Sequence, residues 1–292
     1  MTSARSIRDL IVAHIDDTGY GAHGLHVRVG DEVAEHRWTP DVREEIHSAA
    51  KGVSVLAAGI ARDEGLIDVD APIARYLPGV ELGDGVEEVT LRHLLSMSSG
   101  IDFPWSETMM TDWPDLALEF LGRPSQGRVF QYSNASTYTA MHVLATQVGD
   151  VHEYLLPRLL EPLGIGDVPW ARCPNGRIVA GEGLALRTEE LARIGLHLRE
   201  RGCWQGRQLV SPDWVDAMHE WVPGGRNPGY LHYGLGAWKG PGDAWRLHGA
   251  YGQVLLFIGD AVITLTAEDH FGADAVLAFA VEAVARVGAD PA

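Results

Sequence analysis

A serine three residues ahead of a lysine, Ser48-Ala49-Ala50-Lys51, is the pair in this chain best spaced to supply a nucleophile and its base. If Ser48 opens a helix, Lys51 lies one turn on along the same face and its amine can reach the hydroxyl. A serine hydroxyl is a weak nucleophile and needs a base beside it. Lysine serves only when neutral, which burial and a nearby positive charge both favour by lowering its pKa. Cation usage sharpens the point: of 23 basic residues only Lys51 and Lys239 are lysines, the other 21 being arginines. A guanidinium does not lose its proton in a protein, so the chain has put its rarer, deprotonable cation next to a serine. A surface lysine at a helix start would show the same spacing, which by itself is weak.

Two further groups could share a cleft with that pair. In an extended Tyr132-Ser133-Asn134, residues two apart face one side, so the phenol and the amide would point into one cleft. A phenol can relay protons, and an amide can both donate to and accept from a substrate. The alternative is that Ser133 or Asn134 caps the helix that follows while Tyr132 packs. The second group is Leu247-His248-Gly249-Ala250, on a late strand. Glycine in a strand admits the close approach of another backbone or a ligand, and the N–H after it could supply half of an oxyanion hole. A strand bend with an exposed histidine fits those residues equally well.

The order Ser-x-x-Lys, Tyr-x-Asn, then x-His-Gly on a late strand resembles that of the serine penicillin-recognising enzymes. Segments after the nucleophile, Ala57–Asp70, Arg75-Tyr-Leu-Pro78 and Val89–Gly100, look like those of β-lactamase-related esterases, D-amino acid peptidases and 6-aminohexanoate oligomer hydrolases. The resemblance covers about Ile46 to Ala267 and specifies the family far better than the substrate. It implies Ser48 as nucleophile, Lys51 as general base, Tyr132 as proton relay to the leaving group and Asn134 as substrate ligand. His248 and Gly249 would form the third motif, with the N–H groups of Ser48 and Ala250 as oxyanion hole. Where antibiotic-cleaving members carry Lys-Thr-Gly or His-Thr-Gly, this chain has Leu247-His248-Gly249 if the glycines align. A shift by one puts His248 first, and the sequence leaves that register open.

The elements that must position these groups are legible in outline. Met1 to Asp16 reads as an amphipathic helix, and Gly24–Gly30, Asp31-Glu32 and Val33–Trp38 as a β-hairpin. Val53, Leu56, Ala57 and Ile60 set a buried helix running from Ser48 to a glycine cap at Gly65. Thr90–Met97 and the segment from Ser133-Asn134 to Gly149 are further helices. Strands return at Gly234–Trp238, Trp245–Gly249, Gln253–Ile258 and Ala261–Ala267, before a closing helix over Ala273–Val287. Strands at both ends with helices between imply an α/β fold of the α+β type, β-lactamase/transpeptidase-like by resemblance. One antiparallel sheet would be built from both termini and flanked by helices, with a mostly helical middle. The 292 residues then form a single catalytic domain, its α/β part about 1–47 and 228–292 and its helical part about 48–227.

Composition narrows the function. Apolar residues make up 46% and charged residues 22%, ordinary for a globular chain. A net charge of -17 repels phosphate backbones and anionic membranes, so neither nucleic acid nor a membrane is expected as partner. No apolar run is long enough to span a bilayer, and Met1–Asp16 lacks the apolar core of a signal peptide. The expectation is a cytoplasmic protein whose two cysteines, Cys173 and Cys203, stay reduced. No Gly-x-Ser-x-Gly elbow, HExxH pair or phosphate-cradling loop occurs. Trp113, Trp170, Trp204, Trp214, Trp221 and Trp238 read as core or cleft lining. The sequence thus points to a hydrolase that needs no cofactor or metal and acts through an acyl-enzyme on a small-molecule ester, amide or lactam. Esters and amides are favoured over antibiotics. An acyltransferase or a low-turnover penicillin sensor on the same scaffold remains the alternative, and oligomeric state is open.

Overall fold

A computed structural model describes residues 3–103, 115–227 and 229–289; Trp113 lies outside the described residues. The strands of the main sheet are β1 (Ala22–Val29), β2 (Glu32–Arg37), β3 (Val222–Pro223), β4 (His232–Tyr233), β5 (Trp238–Lys239), β6 (Trp245–Gly249), β7 (Gln253–Ile258) and β8 (Ala261–Ala267). They pair antiparallel in the order β2-β1-β8-β7-β6-β5-β4-β3. The N-terminal hairpin therefore docks onto the last strand, and the sheet is assembled from both ends of the chain.

One face of the sheet carries α1 (Ala4–Thr18), which buries Ile7, Ile11 and Ile15 at a four-residue spacing, and α9 (Ala273–Ala289). The other face packs against α7 (Thr188–Arg199) and the helical region. With both faces covered, β7 and β8 are buried almost along their length, which is why their sequences read as apolar runs rather than alternations.

The helical region is built around α2 (Ala50–Asp63), with α3 (Leu91–Leu95), α4 (Leu116–Leu121), α5 (Asn134–Val148), α6 (Val151–Leu155) and α8 (Pro212–Ala217) about it. Thr90 caps α3 as its sequence suggested. Every residue of α2 from Ala50 to Ala61 is buried, because Ala and Gly let neighbours come close on all sides. A Cβ on Gly59 would lie 2.1 Å from the Trp214 ring, whose Nε1 donates to the Val55 carbonyl at 2.9 Å. Gly59→Ala should therefore cost about 1–3 kcal/mol through overpacking, even though alanine favours a helix by about 1 kcal/mol. Chemical denaturation measures this, and a neutral or stabilised variant would refute the seating of Trp214 against α2.

One expected strand differs. Of Gly234–Trp238 only Trp238 enters a strand; Gly234 to Gly236 form the turn from β4 to β5. Gly236 has φ 67°, and a Cβ there would lie 3.1 Å from the Lys51 carbonyl. Gly236 thus serves close approach to α2, and Gly234 close approach to the Met218 carbonyl after α8, rather than strand pairing. Among the described residues no helix is long and apolar enough to cross a membrane.

Candidate active site

Ser48 lies in a single 3-10 turn, His47–Ala49, that leads into α2. The preceding His47 takes φ 47°, a left-handed conformation uncommon for a residue with a side chain, and Ser48 follows it at the mouth of a cavity. Lys51 is one turn on and 1% exposed. Its Nζ lies 2.9 Å from Ser48 Oγ, 2.6 Å from Asn134 Oδ1 and 2.8 Å from the Gly181 carbonyl. Burial lowers the Lys51 pKa from 10.5 to about 7, opposed by Glu182. The nearby positive charge invoked from sequence is not among the causes; removal from water does the work.

The three contacts of Nζ have a chemical consequence. An amide oxygen and a backbone carbonyl can only accept hydrogen bonds. A neutral amine has two N–H bonds, and these two acceptors consume both. The remaining lone pair then faces the Ser48 hydroxyl.

Tyr132 reaches the same point from the segment before α5. Burial raises its phenol pKa to about 12, opposed by its hydrogen bond with Ser48, and Lys51 Nζ sits 4.9 Å from its ring centroid. Ser133 is extended and its Oγ accepts from the Ala135 N–H, so it is the helix cap, and Asn134 is already helical. The residues thus come together, though not by simple alternation. Asn134 turns to Lys51 and is not among the residues lining the cavity, whereas Tyr132 is.

Packing decides which side chain of the third motif faces the cavity. Leu247 is fully buried against α2, where a Cβ on Gly52 would lie 2.4 Å from its Cδ1. His248 therefore faces the other way and lines the cavity, followed by Gly249 and Ala250. A Cβ on Gly249 would meet the Ile46 carbonyl at 2.2 Å, so only glycine lets β6 pass this close to the nucleophile segment.

Arg246 shares the His248 face but is spent internally. It is 1% exposed, and its Nη2 donates to the Gly229 carbonyl at 2.9 Å and its Nη1 to that of Gly240. Its Nε lies 3.2 Å from His248 Nδ1. Burial and the Arg246 charge both push the His248 pKa down.

The cavity holds about 460 Å³, and its remaining wall includes Phe130, Tyr230, Trp238 and Tyr251. Apart from Trp238, the sequence reading did not single these out. It also missed Gly181, since a lone carbonyl in a loop carries no type or spacing signal. The Gly181-Glu182-Gly183 run, which marks a turn, is the one hint. A larger hollow of about 810 Å³ adjoins across Phe130 and Arg226 but holds none of the Ser48, Lys51 and Tyr132 group.

A family model described as Beta-lactamase matches residues 7–284. The 6-aminohexanoate-dimer hydrolase of Paenarthrobacter ureafaciens is 25% identical over 66% of this chain, and the matched region spans 56% of that enzyme's length. Among solved structures, a penicillin-binding protein homolog from Caulobacter crescentus superposes with TM-score 0.77 at 16% identity, covering 97% of each chain. A D-stereospecific amidohydrolase from Streptomyces sp. gives TM-score 0.71 at 18% identity over 96% of this chain and 98% of its own. These structural likenesses speak to the fold alone.

Proposed function

This chain belongs to the β-lactamase family, and from that premise we propose that it is a serine hydrolase working through an acyl-enzyme on small esters or amides. The observation that carries the reading is the 2.9 Å contact between a buried Lys51 amine and Ser48 Oγ, with two obligate acceptors holding the amine's other hydrogens. Lys51, neutral at its lowered pKa, takes the proton of Ser48 as Oγ attacks the acyl carbonyl. The N–H groups of Ser48 and Ala250 receive the developing oxyanion. Tyr132, kept protonated and bonded to Ser48, gives its proton to the leaving group and is reprotonated by the Lys51 ammonium, which so returns the proton taken from Ser48. Water then deacylates Ser48 by the reverse relay. Asn134 acts chiefly by holding Lys51.

Preference for esters and amides over classical antibiotics is supported by Arg246. Its guanidinium is committed to backbone carbonyls and lies 3.9 Å from Asp274 Oδ1, so it is not free to pair with an antibiotic carboxylate, which leaves Arg226 as the cation on the described cavity wall.

Intact-mass spectrometry after exposure to a fluorophosphonate is expected to show one adduct, mapping to Ser48, and none on Ser48→Ala. Labelling of another residue, or equal labelling of the variant, would overturn the assignment.

A further inference from the structure

Three elements converge on the inner nitrogen of His248. Arg246 comes from the same strand, Tyr230 from the loop before β4, and Asp274 from the first turn of α9. Among the described residues, His270 and Arg226 are the other charged or titratable side chains on the cavity wall, together with Tyr132 and Tyr251. Arg246 Nε keeps its hydrogen at every accessible pH and directs it at Nδ1, 3.2 Å away. Nδ1 must therefore carry the lone pair, and the ring proton must sit on Nε2. Tyr230 Oη lies 3.1 Å from Nδ1 and 3.0 Å from Asp274 Oδ1, and with its one hydrogen on Asp274 its oxygen would accept from an Nδ1–H; the fixed Arg246 hydrogen is the contact that opposes this. A proton on Nδ1 would oppose the Arg246 hydrogen head-on, and in a charged ring it would add a second buried cation.

We propose that Arg246 is a positioning residue that locks His248 in its neutral Nε2–H tautomer. The cleft then presents His248 as an uncharged donor, so the imidazole adds no second charge to that of Arg226 on the same wall and favours acyl groups bearing a neutral acceptor. The selectivity half rests on the acyl-enzyme reading above; the tautomer half does not. The low His248 pKa agrees with it.

The test uses the full chain labelled with ¹⁵N-histidine, with two-bond ¹H–¹⁵N spectra and His248→Gln for assignment. Between about pH 5 and 8, the range in which an unperturbed imidazole titrates, His248 should stay neutral with Nε2 protonated and Nδ1 bare. A protonated Nδ1, or an imidazolium near pH 6, overturns the proposal, and this measurement needs no Arg246 variant to fold. Arg246→Met should mix the tautomers and raise the titration toward the ordinary range, with burial still holding it down, whereas Tyr230→Phe should leave the tautomer unchanged. A tautomer switch in Tyr230→Phe, or none in Arg246→Met, also overturns it.

For selectivity, kcat/KM is compared for p-nitrophenyl butyrate and the p-nitrophenyl monoester of glutaric acid. The ratio cancels the ionisation of Lys51. It should be flat with pH in the wild type. In Arg246→Met it should swing roughly fivefold toward the glutarate ester as pH falls, the gain of a charge-assisted over a neutral hydrogen bond. A flat ratio in the variant overturns the selectivity. The Ser48→Ala variant should keep the wild-type histidine spectrum, so a failed acyl-enzyme assignment and a failed tautomer assignment are separately visible.

Discussion

Lys51→Arg should lower kcat on an activated ester on the order of 10²–10⁴-fold, the usual worth of a general base. The substitution keeps a cation at the site, so any role Lys51 had as a mere positive charge would survive it. What it removes is the neutral state: guanidinium does not deprotonate in a protein. It also places a wider, planar group where Nζ is held within 2.9 Å of three oxygens in a position 1% exposed. Stopped-flow acylation should show the loss in formation of the acyl-enzyme, with thermal unfolding measured in parallel to account for any cost of burying the larger ion. Activity within about tenfold of wild type would mean that another group takes the proton from Ser48, with Tyr132 the nearest.

The pH profile should carry the second large effect. With the Lys51 pKa lowered from 10.5 to about 7, the base is protonated and inactive in acid and becomes competent as pH rises through neutrality. Log kcat/KM should climb with unit slope below about pH 7 and level above it, so that at pH 5, two units below the midpoint, the rate is about a hundredfold lower. Tyr132 adds no descending limb in the working range, since burial holds its phenol protonated up to about 12. Continuous assay of an ester across that range, corrected for its spontaneous hydrolysis, decides the matter. A flat profile, or a midpoint near the ordinary lysine value, would remove Lys51 as base.

Local spacing determined the parts of this site that lie within one turn. Ser48 and Lys51 meet because residues three apart on a helix share a face, and no distant contact is needed to predict it. Antiparallel pairing of both termini was also legible, since short β-rich segments at the two ends had few other ways to bury their faces. Alternation alone puts Arg246 on the His248 face, because period two is a property of the strand itself.

Tertiary packing decided the rest. Which side of β6 faces the cleft depends on what covers its other side, and the Leu247 side chain filling the space above Gly52 settles it in favour of His248. Asn134 left the extended pattern because Ser133 took the cap, which carried the amide into the helix and onto Lys51. The lowered Lys51 pKa comes from burial beneath a loop whose contributing atom is the Gly181 carbonyl, and every residue has a carbonyl. By type Arg246 could serve an anionic substrate, but the fold spends it on Gly229 and Gly240. In each case the missing information is a contact between segments far apart in sequence. A residue's type states what it can bond to, but only the folded chain states which of those bonds are already taken.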